Sequence, residues 1–212
     1  MDKITEKIYN FGIIPVVAIE DAKDAAHLGR ALLAGGLSCA EITFRTTAAR
    51  ASIQTLASQF SEMLVGAGTV LTVEQAQIAV DHGAQFLVTP GFDEIIVEWC
   101  LQNDVPIFPG VATPTEINLA LRYGLKTLKF FPAQAMGGVA TLKAIAGPYG
   151  AVQFIPTGGV SPHNLPDYLA LPSVLACGGS WVAKKTLIAS GEFETITQLT
   201  AEAVKIVTET RA

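Results

Sequence analysis

Residues 105–131 read VPIFPGVATPTEINLALRYGLKTLKFF. Two apolar runs, VPIFPG (105–110) and LKTLKFF (125–131), flank a segment of helical periodicity. Thr113 stands at an N-cap position, where a hydroxyl accepts an orphan backbone N–H, and Pro114 and Glu116 fill the first turn. Short runs that are apolar on both faces are typical of parallel strands covered by helices on both sides. Parallel neighbours need a crossover of a dozen or so residues, and the segment from 113 onward supplies one. The stretch reads as strand, helix, strand.

The same alternation continues in both directions. IIPVVAI (13–19), CAEIT (39–43), LVGAG (64–68) and QFLVTP (85–90) precede the stretch, and VQFIPTGG (152–159) and SVLACGG (173–179) follow it. Between the runs, Asp21 or Asp24 caps a helix through Leu33 that Gly35 and Gly36 stop. Thr72, with Glu74 and Gln75 behind it, opens a helix that Gly83 ends, and Asp93 opens another over 94–102. A short helix over 2–10 is expected to cover the bottom of the fold, and an amphipathic one over 193–209 to close it. The strand–helix period is about 20–25 residues, with no linker and no shift of composition. The spacing therefore predicts one α/β domain over residues 1–212, a single (β/α)8 TIM barrel with a short N-terminal helix. A doubly wound open sheet is the alternative. The lack of G-x-G-x-x-G after the first run argues against its dinucleotide-binding form.

Composition narrows the function classes. Of 212 residues, 50% are hydrophobic and 16% charged, the opposite of a disordered chain. The net charge of −5 argues against nucleic acid as a partner. The longest uncharged stretch, 144–166, is broken by Pro148, Pro156, Pro162 and Pro166, so no run of about 18 apolar residues is available to span a membrane. The opening MDKITEKIYN lacks the apolar core of a signal peptide. Cys39, Cys100 and Cys177 are odd in number and widely spaced in apolar surroundings, which reads as reduced core thiols. A cytoplasmic location is the expectation.

In a barrel of this kind, chemistry gathers where strands end. The ends carry one carboxylate (Glu41), one guanidinium (Arg45), one ammonium (Lys129) and two glycine pairs. Strand alternation puts Lys129 on the face of Leu125, Thr127 and Phe131, with Lys126 on the other. If that face lines the interior, Lys129 is a buried amine near the mouth. Burial favours the neutral amine, the form that attacks a carbonyl to make a Schiff base. A lysine snorkelling to the rim, or paired with a core carboxylate, fits the spacing equally well. Glu41 reads either as a general acid and base or as a structural partner of Arg45 or Lys129. Arg45 reads either as a fork for a substrate carboxylate or as a rim salt bridge. Thr157-Gly158-Gly159 and Gly178-Gly179-Ser180 end the last two strands, where barrels often bind phosphate on glycine N–H groups. His27 and His82 fall in outer helices and His163 in a loop, without metal-ligand spacing. Trp99 and Trp181 read as core.

With these residues in place, the chain resembles the class I 2-keto-3-deoxy-6-phosphogluconate (KDPG) aldolases, including members that also cleave 4-hydroxy-2-oxoglutarate (KHG). ALLAGGLSCAEITFRT, VGAGTVLT, VTPGF, FPGVATPTE, LKFFPAQ, PTGGVSP and GGSWV stand in the family order over nearly the whole sequence. The resemblance implies a homotrimeric TIM barrel that works without metal or other cofactor on a 2-keto-3-deoxy sugar acid phosphate. It implies Lys129 as the Schiff-base lysine and Glu41 as the general acid and base. Arg45 and Thr69 would hold the pyruvoyl carboxylate, with Pro90 and Phe131 packed around the three-carbon unit. Phosphate would fall to Thr157, Gly158, Gly159, Gly179 and Ser180. Gln134 and Met136 depart from the family's Glu and Asn. Two rivals stay open: an aldolase for the galactonate epimer, against which the Thr157 hydroxyl argues, and a non-catalytic barrel that binds a phosphorylated metabolite.

Overall fold

The computed structural model, which describes residues 2–212, begins with α1 (Lys3–Phe11). The Asp2 carboxylate caps it, accepting the N–H groups of Ile4 and Thr5 at 2.9 Å each. Strands and helices then alternate: β1 (Ile13–Val17), α2 (Ala25–Ala34), β2 (Cys39–Thr43), α3 (Ala49–Gln59), β3 (Leu64–Gly68), α4 (Val73–Asp81), β4 (Phe86–Val88) and α5 (Glu94–Gln102). The chain continues through β5 (Ile107–Phe108), β6 (Gly110–Val111), α6 (Pro114–Arg122), β7 (Thr127–Phe130), α7 (Gly138–Ala146) and β8 (Gln153–Pro156). It ends with α8 (Leu165–Leu169), β9 (Cys177–Gly179), α9 (Lys185–Ala189) and α10 (Phe193–Arg211).

Every strand pairing is parallel. The strands form a six-stranded sheet of order β5-β4-β3-β2-β1-β9 and a three-stranded sheet of order β6-β7-β8. All eight apolar runs carry strands, but the fifth divides: β5 pairs with β4, and β6 pairs with β7. Pro109 sits at the division. It has no N–H to give to a ladder, while its carbonyl accepts the Lys129 N–H at 3.0 Å. At the other seam, isolated bridges join Phe154 to Val174 and Thr157 to Gly178. The fold is thus mixed α/β with two parallel sheets, rather than one uninterrupted eight-stranded ladder.

The expected caps are where the sequence places them. Thr72 accepts from Gln75 at 3.1 Å, Asp93 from Ile96 at 3.0 Å, and Thr113 forms a capping box with Glu116. Of the two starts offered for the first helix, Asp24 stands directly before α2 but makes no side-chain cap bond, while Asp21 caps a 3-10 turn (Ala22–Asp24) ahead of it. The core lies between the strands and the surrounding helices, with Ile14, Ile42, Val65, Leu87, Leu128 and Phe154 buried. Each such side chain contributes about 1.5–3 kcal/mol over leaving it in water. Cys39, Cys100 and Cys177 are free and buried; burial pushes the Cys100 thiol up to about 12 and the other two upward as well. No helix among the described residues is long and apolar enough to cross a membrane.

Candidate active site

Lys129 and Glu41 face each other inside the fold. Lys129 is the penultimate residue of β7, whereas Glu41, expected at a strand end, is the middle residue of β2; they are 2% and 3% exposed. Lys129 Nζ stands 3.9 Å from Glu41 Oε1. That is longer than the 2.7–2.9 Å of a charge-assisted hydrogen bond, so neither group's bonding capacity is consumed by the other. Glu41 Oε1 has no hydrogen-bond partner among the described residues. An unsatisfied buried acceptor is costly, and such groups concentrate at functional positions. Burial pushes the Glu41 carboxyl above the usual glutamate range, while Lys129 and Arg45 draw it partly back. Lys129 Nζ also lies 4.9 Å from the centre of the Phe131 ring, a cation–π distance.

Glycine makes the room for Glu41. In the ladder Gly66 pairs with Glu41 and Gly110 with Lys129, and their bare Cα atoms admit the Phe86 ring and the Pro90 carbonyl. Two residues beyond Gly66, a Cβ on Gly68 would overlap the Glu41 carboxylate itself. Gly68→Ala should therefore displace Glu41 and lower kcat by about 10²-fold, the cost of roughly 1 Å of misplacement. Steady-state kinetics on the folded variant checks this; wild-type kcat would mean that the carboxylate position does not matter.

The rim groups lie around the pair. Arg45, exposed at the end of β2, donates from Nε to Thr69 Oγ1 at 3.3 Å. Thr69 has a φ of +55°, a strained value for a β-branched residue and a common mark of a functional site. Pro90 follows β4, and its carbonyl packs so closely on Gly110 that a Cβ there would overlap it. Thr157 is buried, with its hydroxyl donating to the Ile155 carbonyl at 3.3 Å and lying against Gly178. Gly158 and Gly159 have φ of +96° and +80°, values that glycine alone adopts cheaply. Among the described residues their N–H groups meet no protein acceptor. The bare Cα of Gly179 admits the Trp181 ring, and Ser180 beside it is exposed.

Two cavities open on the fold, and neither is lined by Lys129 or Glu41. One of about 410 Å³ at the mouth is lined by Arg45, Thr46, Ser180, Lys184, Lys185 and Glu20. It brings Arg45 and Ser180 together and adds two lysines; Lys185 pairs with Glu20, and Lys184 with no carboxylate among the described residues. Neither lysine stands out in the sequence, although both directly follow GGSWVA. The larger cavity, about 840 Å³, lies at the opposite end near Lys126, Lys143 and Ser173, and holds none of the expected site residues. His27 stacks on Phe193, His82 ends α4 with Nδ1 2.7 Å from the Ile78 carbonyl, and His163 is exposed. Among the described residues no three His, Cys, Asp or Glu side chains converge as metal ligands.

A buried amine facing a buried carboxylate across parallel strands is the equipment of an enzyme that works on carbonyls, one group to add and the other to move protons. Sequence and structure comparisons carry this to a family. The profile of the KDPG and KHG aldolases matches residues 4–199. A 2-dehydro-3-deoxy-phosphogluconate aldolase of Treponema pallidum is 49% identical over 98% of this chain and 99% of its own. The KHG/KDPG aldolase of Escherichia coli K12 is 44% identical over 91% of each chain. The KDPG aldolase of Legionella pneumophila, solved with pyruvate captured as a covalent carbinolamine, superposes with a TM-score of 0.91 at 37% identity, covering 94% of this chain and 97% of that one. The chain belongs to the KDPG and KHG aldolase family, and it is a lyase.

Proposed function

We propose that this protein cleaves 2-keto-3-deoxy-6-phosphogluconate to pyruvate and glyceraldehyde 3-phosphate, and 4-hydroxy-2-oxoglutarate to pyruvate and glyoxylate, through a Schiff base on Lys129. The observation that carries the reading is the 3.9 Å approach of Lys129 Nζ to Glu41 in a site where both are buried. The names of the Treponema and Escherichia relatives support the choice of substrates.

The amine of Lys129 adds to the C2 ketone, and the carbinolamine loses water to give an iminium. Glu41 takes the proton of the C4 hydroxyl as the C3–C4 bond breaks. The electrons of that bond form the enamine, with the iminium nitrogen as their sink, and C4 leaves as the aldehyde. Protonation of the enamine at C3 and hydrolysis of the imine release pyruvate and restore the amine. Arg45 and Thr69 hold the carboxylate, Pro90 and Phe131 flank the three-carbon unit, and Thr157, Gly158, Gly159, Gly179 and Ser180 receive the phosphate. No metal or other cofactor takes part. Two unpaired N–H groups on the glycines suit an anion with several acceptor oxygens, and the Thr157 hydroxyl supports the gluconate over the galactonate epimer.

The architecture that goes with this reading is one domain closed as a (β/α)8 barrel. Its support is that β5 and β6 are consecutive pieces of one chain passage, while the Phe154–Val174 and Thr157–Gly178 bridges span the remaining seam. The family resemblance supports a homotrimer in the cytoplasm, and Leu71 and Ile95, 56% and 71% exposed, offer apolar surface for a neighbouring copy.

The test is borohydride reduction in the presence of pyruvate, read by peptide mass spectrometry. A pyruvate-sized adduct on the peptide holding Lys129 is the expected result. Folded protein that binds pyruvate but leaves Lys129 unmodified would overturn the mechanism and bring back the non-catalytic metabolite-binding barrel.

A further inference from the structure

The two glycines after β8 owe their placement to residues beyond them. Gly158 and Gly159 supply no side chains to fix their own conformation. Asn164, directly before α8, does part of this: its Nδ2 donates to the Gly159 carbonyl at 3.1 Å, and its Oδ1 accepts the Ser161 N–H at 2.8 Å. The same Nδ2 donates to Oε1 of Gln134 at 3.4 Å, and the Tyr168 hydroxyl donates to that oxygen at 3.1 Å. Tyr168 is fully buried, and Gln134 is its hydroxyl's partner, which a buried tyrosine ordinarily requires. The main chain adds to the hold. Ala133 donates its N–H to the Thr157 carbonyl at 2.8 Å, and Gln134 donates its own to the Gly158 carbonyl at 2.9 Å. A Cβ on Gly159 would overlap the side chain of Gln134, so the two segments are in close contact.

We propose that Gln134 is a positioning residue for the phosphate end of the substrate. Its side-chain oxygen, anchored on Tyr168, keeps Asn164 against Gly159 and so aims the Gly158 and Gly159 N–H groups at the phosphate. Gln134 touches no reacting atom, and its effect passes through Asn164 and the glycine backbone. The assignment rests on the reading of residues 157–159 as the phosphate loop. Its signature is specific to the substrate's phosphate: loosening the loop weakens the hold on a phosphorylated substrate and leaves imine chemistry at Lys129 untouched.

The experiment compares wild type with Gln134→Met, which has similar length and no strong acceptor. Because that change leaves the buried Tyr168 hydroxyl without a partner, Gln134→Met/Tyr168→Phe is measured beside it. In both, KM for 2-keto-3-deoxy-6-phosphogluconate should rise about tenfold, the loss expected of one or two hydrogen bonds, with kcat within about twofold. The pyruvate concentration for half-maximal borohydride trapping, a readout without phosphate, should stay within about twofold. Gln134→Glu, which keeps the acceptor, should recover most of the KM. An unchanged KM in the double variant, or an equal loss on pyruvate trapping, overturns the proposal. A wild type inactive on the phosphorylated substrate would instead sink the functional reading beneath it.

Discussion

Lys129→Met should lose turnover by at least about 10⁵-fold, because it removes the amine on which the covalent route depends, and should keep the fold. Methionine fills nearly the same volume, and its thioether suits a position 2% exposed. The cost falls on Glu41. With Lys129 gone, a buried carboxylate loses the stronger of the two cationic influences that draw its pKa down, so its proton is held to still higher pH. A carboxyl whose folded pKa lies above its unfolded value contributes stability that is present below the unfolded pKa and lost as pH rises through the folded one. The variant should therefore lose Tm relative to wild type as pH rises from the ordinary glutamate range through the raised pKa of Glu41. Adding Glu41→Gln should remove that pH dependence, since a neutral amide has no proton to lose. Thermal unfolding across pH, with borohydride trapping alongside, tests both halves. A pyruvate adduct still formed by Lys129→Met would move the nucleophile elsewhere, with Lys184 at the mouth cavity the first place to look.

What could be read from the sequence was whatever repeats or caps locally. All eight strand positions follow from short runs that are apolar on both faces, and the helices with side-chain caps at Thr72, Asp93 and Thr113 are where their caps put them. Of the helices without a side-chain cap bond, α2 and α10 are still expected from their periodicity, whereas α3, α7, α8 and α9 follow Ala48, Gly137, Asn164 and Lys184 with no local mark. Their starts are set by tertiary packing, which no short window contains. The break of the fifth strand at Pro109 has the same character: proline marks a lost donor, but which neighbour each half adopts depends on strands distant in sequence. In the site, alternation put Lys129 on one face with Leu125, Thr127 and Phe131 but could not say that this face is the interior. Residue type could not say whether Glu41 would stand at hydrogen-bond distance as a structural partner or, as it does, at 3.9 Å. The Gln134–Asn164–Tyr168 brace was invisible for a further reason: it joins two loops by polar contacts that carry no periodic signal.

Glu41→Gln should lower kcat by about 10²–10⁴-fold, the usual worth of a positioned general base, while Lys129 still traps pyruvate under borohydride. The separation follows from chemistry: forming the imine needs the amine, whereas breaking C3–C4 needs the C4 hydroxyl to give up its proton. The pH profile carries the stronger test. Glu41 accepts that proton only as the carboxylate, and burial holds its pKa above the usual glutamate range. The cleavage rate should therefore fall, as pH is lowered, at a higher pH than an ordinary glutamate would give. That limb should be absent from the residual activity of Glu41→Gln. The same upward shift gives the group its second use, because a carboxyl that holds its proton closer to neutrality can return it to the enamine carbon. Glu41→Asp keeps the charge but withdraws it by one methylene from the position that Gly68 leaves open. It should retain the acid limb and lose about 10²-fold in kcat. Wild-type rates in Glu41→Gln, or an unchanged acid limb, would assign the proton to another group and leave Glu41 as the counter-charge of Lys129.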